Sequence, residues 1–294
     1  MMDIMGNSVG ESKMKVAVLS GKGGTGKTFL AANLAVVFKN GIYVDCDTEA
    51  PNGRLLFRPE LIARVPVQVK IPTVDASYCD GCQTCTEFCR FHALAYVKNR
   101  LRIFSEICHS CGGCVLFCPQ HALREIEKTI GWIEVGASRG QEIMSGILQE
   151  GEVSGVPIIQ ALWKKLQDRE NPIVLDCPPG SSCNVRESIK RADYCILAAE
   201  STSFGVHNLQ MIHQLLTLEG KPHGVVVNKC IEVEEEPVEQ FCQAAGIPVL
   251  GKIPFRKDFN EIQSEGKLIA RESWEGKKIF LALLQAIDQE AGHQ

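Results

Sequence analysis

Short apolar runs separated by stretches of helical spacing organise most of this chain. KVAVLS (15–20), IYVDC (42–46), PIVLDC (172–177), YCILAA (194–199), HGVVVN (223–228) and IPVLGKI (247–253) are compact and rich in apolar and β-branched residues. Runs of this length read as strands buried on both faces. TFLAANLAVVFKN (28–40) and VPIIQALWKKLQD (156–168) instead carry apolar residues three and four apart, and Gly41 supplies a stop after the first. That spacing predicts helices with one buried stripe. WIEVG (132–136) reads as a further strand of the same series. Strand and helix in alternation predict an α/β fold, a mostly parallel sheet covered by helices on both faces. KKIFLALLQAIDQEAG (277–292) gathers Ile279, Phe280, Leu283, Leu284 and Ile287 on one side. Asp288 and Glu290 lie where a membrane-surface helix favours cations, so this stretch predicts a helix closing on the sheet.

The rhythm breaks between about 70 and 128. Two cysteine runs, CDGCQTCTEFC (79–89) and CHSCGGCVLFCP (108–119), flank a hairpin-like LAYVKNRLRIF (94–104). The expected organisation is a loose tail at 1–13, one α/β domain over 14–69 and 129–294, and a small inserted α+β domain over 70–128. The chain has 294 residues and a net charge of −4, with no basic domain, so no nucleic-acid partner is expected. No apolar run is long enough to span a bilayer, and the first residues lack a secretory pattern. A cytoplasmic protein without integral membrane association is the expectation.

In a reducing compartment, 14 cysteines point to metal rather than to disulfides. Eight of them form C-x2-C-x2-C-x3-C twice, the spacing of bacterial two-cluster ferredoxins. Three thiolates of one run and the fourth of the other would hold each 4Fe–4S cluster. Cys79, Cys82, Cys85 and Cys118 are assigned to the first, and Cys108, Cys111, Cys114 and Cys89 to the second. Arg90 stands where the first run would carry proline, which removes no ligand. Two zinc sites would need paired C-x2-C units, and the third cysteine at that spacing fits them poorly. His92, His109 and His121 are left as surface neighbours of the clusters. The clusters are expected to carry single electrons or to supply folding energy to a segment with little apolar core.

SGKGGTGKT (20–28) links the first strand to the first helix. Gly21, Gly23, Gly24 and Gly26, with Thr25 among them, let the backbone turn its N–H groups inward on a phosphate. Lys27 follows the last glycine and should reach the β/γ-phosphates of ATP, and the Thr28 hydroxyl should bind Mg²⁺. Lys22 is a second lysine that this chemistry does not require.

KGGTGKT resembles the deviant Walker A motif of the MinD/ParA ATPases, a group that includes the nitrogenase iron protein. The resemblance implies that Lys22 crosses a dimer interface to the partner's nucleotide, so that the active unit is a homodimer or a heterodimer with a paralogous ATPase. It implies that Asp47 positions the attacking water, with Asp45 two residues earlier on the same side of the strand, and that Asn52 belongs to switch I. LDCPPG (175–180) matches Walker B and switch II, so Asp176 would hold the Mg²⁺ shell and the Gly180 N–H would face the γ-phosphate. Asn228 in VVNK would read adenine, and Pro254 would flank the base. Cys183, seven residues after Asp176, matches a cysteine that ligates an intersubunit cluster in the nitrogenase iron protein, though no second such cysteine is found. The whole combination resembles MinD-superfamily ATPases with an inserted ferredoxin domain. It implies an ATP-driven dimeric switch coupled to electron transfer or metal-cluster delivery to a partner protein. A MinD/ParA-like positioning ATPase with structural or sensing clusters is one alternative. An ATP-dependent amidation or ligation enzyme is another, since cobyrinate diamide synthases and dethiobiotin synthetase share the P-loop architecture.

Overall fold

The computed structural model describes residues 13–231 and 237–292, so the expected tail lies almost wholly outside the described residues. β1 (Lys15–Leu19) leads into α1 (Lys27–Val37), β2 (Ile42–Asp45) and the short α2 (Gly53–Phe57). β3 (Glu60–Val74) runs out to the cysteine segment, which holds α3 (Thr84–Phe88), β4 (Leu94–Val97), β5 (Arg100–Ile103) and α4 (Gly113–Leu116). β6 (Leu123–Ser138) returns and β7 (Gln141–Leu148) follows. Strand and helix then alternate: α5 (Val156–Leu166), β8 (Ile173–Asp176), α6 (Cys183–Ile189), β9 (Tyr194–Glu200), α7 (Ser203–Leu218), β10 (His223–Cys230), α8 (Pro237–Ala245) and β11 (Val249–Pro254). Three helices end the chain: α9 (Lys257–Ser264), α10 (Ile269–Glu272) and α11 (Trp274–Gly292).

One sheet orders its strands β11-β10-β9-β1-β8-β2-β7-β6-β3. From β11 to β7 every pairing is parallel. Each buried strand feeds a helix that must pack back over the sheet. α5 to α8 bury Ile158, Leu162, Val185, Ile212 and Val238 on one face, and α1 and α9 to α11 bury Leu30, Leu34, Phe259 and Phe280 on the other. Phe280, Leu283, Leu284 and Ile287 of α11 are buried, so this helix closes the sheet. Among the described residues no helix is long and apolar enough to cross a membrane.

The β6–β3 edge departs from the expected alternation. WIEVG is not a parallel strand followed by a helix but the middle of the 16-residue β6. β6 pairs antiparallel with both β7 and β3. The two long strands run unbroken through residues 70 and 128, where the insert was expected to begin and end. Beyond their ends the cysteine segment keeps its own small core of Ala93, Leu94, Cys114, Cys118, Ala122 and Leu123. β4 and β5 form a separate two-stranded sheet. Their turn residues Lys98 and Asn99 have φ of 51° and 58°, the left-handed pair that a two-residue hairpin takes to match strand twist.

Candidate functional site

The carboxyl ends of the parallel strands share one edge of the sheet, where β1 lies between β8 and β9. The glycine-rich loop crosses it. Gly24 and Gly26 sit at φ 84° and 89°, conformations that an L side chain resists. Gly26 also lies against Asn228, whose Nδ2 donates to Thr25 O at 2.8 Å. Asn228 Oδ1 accepts from the Lys229 N–H at 2.9 Å, so the buried amide braces the loop. Gly21 packs on Asn208, and Gly23 and Gly24 are exposed. Thr25 is buried and its hydroxyl has no partner. Thr28 is half-buried in the first turn of α1.

Lys27, at the start of α1, and Asp176, at the end of β8, form a buried ion pair. Tyr43 donates its hydroxyl to the other oxygen of Asp176 at 2.8 Å, and the same hydroxyl lies 3.4 Å from Asp45. Asp45 accepts from the N–H groups of Asp47 (3.1 Å) and Gly53 (2.9 Å), and so ties the end of β2 to the start of α2. Burial, reinforced by Asp176, pushes the Asp45 carboxyl well above the usual carboxylate range. Burial also raises Asp47, against the pull of Lys27. Burial opposes the charge on Lys27, yet the aspartates around it hold its pKa above the ordinary value. Asp176 thus already attracts a cation, the chemistry expected of a Mg²⁺ ligand.

The remaining predicted residues surround this centre. Lys22 is half-buried: its ammonium pairs with Glu200 of the same chain at 3.1 Å and lies 5.1 Å from the centre of the Phe204 ring. The Gly180 N–H donates to Ser20 O at 2.9 Å and is turned onto the loop's own backbone. Asn52 is exposed at the start of α2. Pro254 ends β11, half-buried, and Cys183 is exposed at the start of α6. The motif reading missed Tyr43, Glu200 and Lys229. Tyr43 could have been singled out as a hydroxyl inside an apolar strand beside two aspartates. Glu200 carries no local signal, since its partners stand far away in sequence.

The eight clustered cysteines separate into two sets. Cys79, Cys82, Cys85 and Cys118 line one cavity, and Cys89, Cys108, Cys111 and Cys114 line another. Each set takes three members from one run and the fourth from the other. The runs repeat one backbone: Gly81 and Ser110, Gln83 and Gly112, and His92 and His121 have positive φ at equivalent places. The N–H groups of His92 and His121 return to the carbonyls of Cys89 and Cys118, each at 3.1 Å. Cys108 Sγ accepts from the Ser110 N–H at 3.4 Å and Cys118 Sγ from the Ala122 N–H at 3.3 Å. His109 stacks on Phe91 with centroids 3.8 Å apart. Burial and neighbouring sulfurs push the Cys114 thiol up to about 11. Among the described residues no three His, Cys, Asp or Glu side chains converge on a point where one ion could sit.

A sequence profile of the CobQ/CobB/MinD/ParA nucleotide binding domain matches residues 16–269. The uncharacterized protein MJ0578 of Methanocaldococcus jannaschii is 31% identical over 226 residues, 74% of this chain and 78% of that one. Among solved structures, the cell division ATPase MinD of Pyrococcus furiosus superposes with a TM-score of 0.59 at 18% identity, over 94% of this chain and 99% of that one. The septum site-determining protein MinD of Pyrococcus horikoshii, complexed with Mg-ADP, gives 0.60 at 17% identity, over 95% and 98%. The fold is MinD-like.

Proposed function

The chain belongs to the CobQ/CobB/MinD/ParA nucleotide-binding family, and from that premise we propose that it is an ATP-hydrolysing dimeric switch carrying two 4Fe–4S clusters. The observation that carries the redox half is the division of eight cysteines into two sets of four, each drawn from both runs, around separate cavities. Held in these sets, two clusters would supply one-electron chemistry or cluster exchange towards a partner protein.

On the nucleotide side, the triphosphate draws Lys27 off Asp176. Lys27 then meets the β/γ-phosphates, and Asp176 is left, with Thr28, for Mg²⁺. Asp47 holds the attacking water. The water bonds to the γ-phosphorus as the bond to the bridging oxygen breaks, and ADP and phosphate leave. Gly180 gives up Ser20 O and turns its N–H to the γ-phosphate. Lys22 reaches the triphosphate of the facing subunit, where its charge is worth most in the transition state. Asn228 holds the loop and Pro254 flanks the base. ATP can drive an output only because it binds the paired and unpaired states unequally.

The test uses anaerobically purified protein. About eight irons per chain are expected from two cubanes. ATP turnover per chain should rise with protein concentration, and Lys22→Ala should lower it by about 10³-fold, the scale of an arginine finger. Wild-type turnover and pairing in Lys22→Ala would remove the trans mechanism. A second reading, a positioning ATPase with structural or sensing clusters, draws support from the MinD-like fold. Dithionite separates the two: reduction changes turnover or pairing in a redox switch and leaves both alone where the clusters are structural.

A further inference from the structure

Glu200 ends β9 with its carboxylate between two lysines. Oε2 lies 3.1 Å from Lys22 Nζ, and Oε1 lies 2.6 Å from Lys229 Nζ. Lys229 Nζ also donates to Gly24 O at 2.9 Å, so the carboxylate is tied to the phosphate loop through both cations. The backbone fixes the place of Glu200. Its carbonyl accepts from the Thr202 N–H at 2.8 Å, and Gly205 packs so close that a Cβ there would come within 2.0 Å of the same oxygen. Only 18% of the Glu200 side chain and 33% of the Lys22 side chain are exposed, which weakens screening by water. Phe204 covers the ammonium of Lys22.

The Lys22 ammonium is a point charge on a flexible stem, and the Glu200 carboxylate 3.1 Å away both offsets that charge and holds the stem against its own chain. While Lys22 stays on Glu200 it cannot serve a phosphate on a facing subunit. We propose that Glu200 is the counter-ion that keeps Lys22 retracted in the isolated subunit, and that pairing of two loaded subunits exchanges this carboxylate for the partner's phosphate oxygens. The proposal rests on the reading of Lys22 as a residue that acts in trans. Glu200 is a positioning residue: it touches lysines, not nucleotide, and acts through Lys22. Weakening the cis pair raises the fraction of subunits with Lys22 free, which lowers the concentration needed to pair.

Glu200→Gln keeps the shape and removes the charge. Pairing is followed by analytical ultracentrifugation of the full chain with Mg–ATPγS, alongside ATP turnover at limiting protein. The half-pairing concentration should fall by about fivefold or more, and turnover at limiting protein should rise. In a Lys22→Ala background the same substitution should produce no further shift, since the residue it releases is gone. Glu200→Asp keeps the charge and should fall between wild type and Glu200→Gln. Pairing of Glu200→Gln at the wild-type concentration, beside an impaired Lys22→Ala, overturns the role of Glu200 and leaves the trans reading standing. A loss of Mg–ADP affinity in Glu200→Gln without tighter pairing also overturns it, because Glu200 would then merely brace the loop through Lys229. A Lys22→Ala protein that pairs and turns over normally sinks the trans reading and takes this proposal with it.

Discussion

The ammonium of Lys27 rests on the carboxylate of Asp176 inside the protein, with 7% and 1% of the two side chains exposed. Each ion has exchanged water for the other. Removing one member leaves a buried charge alone, which costs roughly 3–5 kcal/mol. Asp176→Asn is therefore expected to lower the unfolding free energy of the nucleotide-free protein by about that amount, read by urea denaturation. Mg–ATP should restore part of the loss, since the phosphates give Lys27 a new counter-charge. A variant as stable as wild type without nucleotide would mean that the pair does not hold the empty site together.

A half-buried contact sets a pH dependence. His213 Nδ1 and His223 Nε2 lie 2.8 Å apart, and His223 Nδ1 lies 2.7 Å from Lys221 O. A carbonyl only accepts, so His223 carries its hydrogen on Nδ1, and its Nε2 accepts from His213. Burial, with His213 adding to it against the Lys221 carbonyl, lowers the His223 pKa below 6.5. The unfolded chain therefore takes up this proton first as pH falls. The contribution is present above pH 6.5 and is lost as pH drops through the folded value. Urea midpoints measured between about pH 7.5 and 5 should decline, and His213→Phe should flatten the decline. Equal slopes would assign the acid sensitivity elsewhere.

The cysteine partition has a sharper test than total iron. If Cys82 and Cys118 serve one cluster, Cys82→Ser and Cys118→Ser combined remove no more iron than either alone, leaving about four per chain. Cys82→Ser combined with Cys89→Ser should strip both clusters. Assignment by run, with Cys89 joining Cys79, Cys82 and Cys85, predicts the reverse. Iron analysis with EPR of the reduced protein decides between them.

Much of this was legible because it is local. The strands ending at Leu19, Asp45 and Asp176 announce themselves as apolar runs, and the phosphate loop and cysteine runs are fixed by spacing. β3 is an edge strand with most of its side chains exposed, so no apolar run marks it in the sequence. Its signal was nonetheless present, in the alternation of Val65, Val67, Val69 and Ile71. β6 was seen only at WIEVG, since its outer half is largely exposed. The pairing of Lys22 with Glu200 could not be read at all. It depends on two loops from neighbouring strands meeting at the sheet's carboxyl edge, and neither residue type demands the other.

The loop's dependence on Asn228 makes the last prediction. Gly26 has φ 89°, and a Cβ there would come within 2.0 Å of Asn228 Nδ2. Asn228 cannot step aside freely: it is 4% exposed and bonded to Thr25 O and to the Lys229 N–H. Gly26→Ala therefore meets two obstacles, a left-handed backbone worth about 1 kcal/mol and a neighbour that must break a buried hydrogen bond worth about 1–3 kcal/mol. The rest of the sheet does not depend on the loop, so the variant should fold with stability reduced by about 2–4 kcal/mol. Mg–ADP affinity by calorimetry should fall by about 100-fold as the displaced N–H groups lose the phosphate. Asn228→Ala added to Gly26→Ala opens the space but leaves the left-handed backbone and the lost hydrogen bonds in place, so neither stability nor affinity should recover. Full recovery of both would show that Asn228 only obstructs the new methyl, and wild-type affinity in Gly26→Ala alone would show that the loop tolerates being moved.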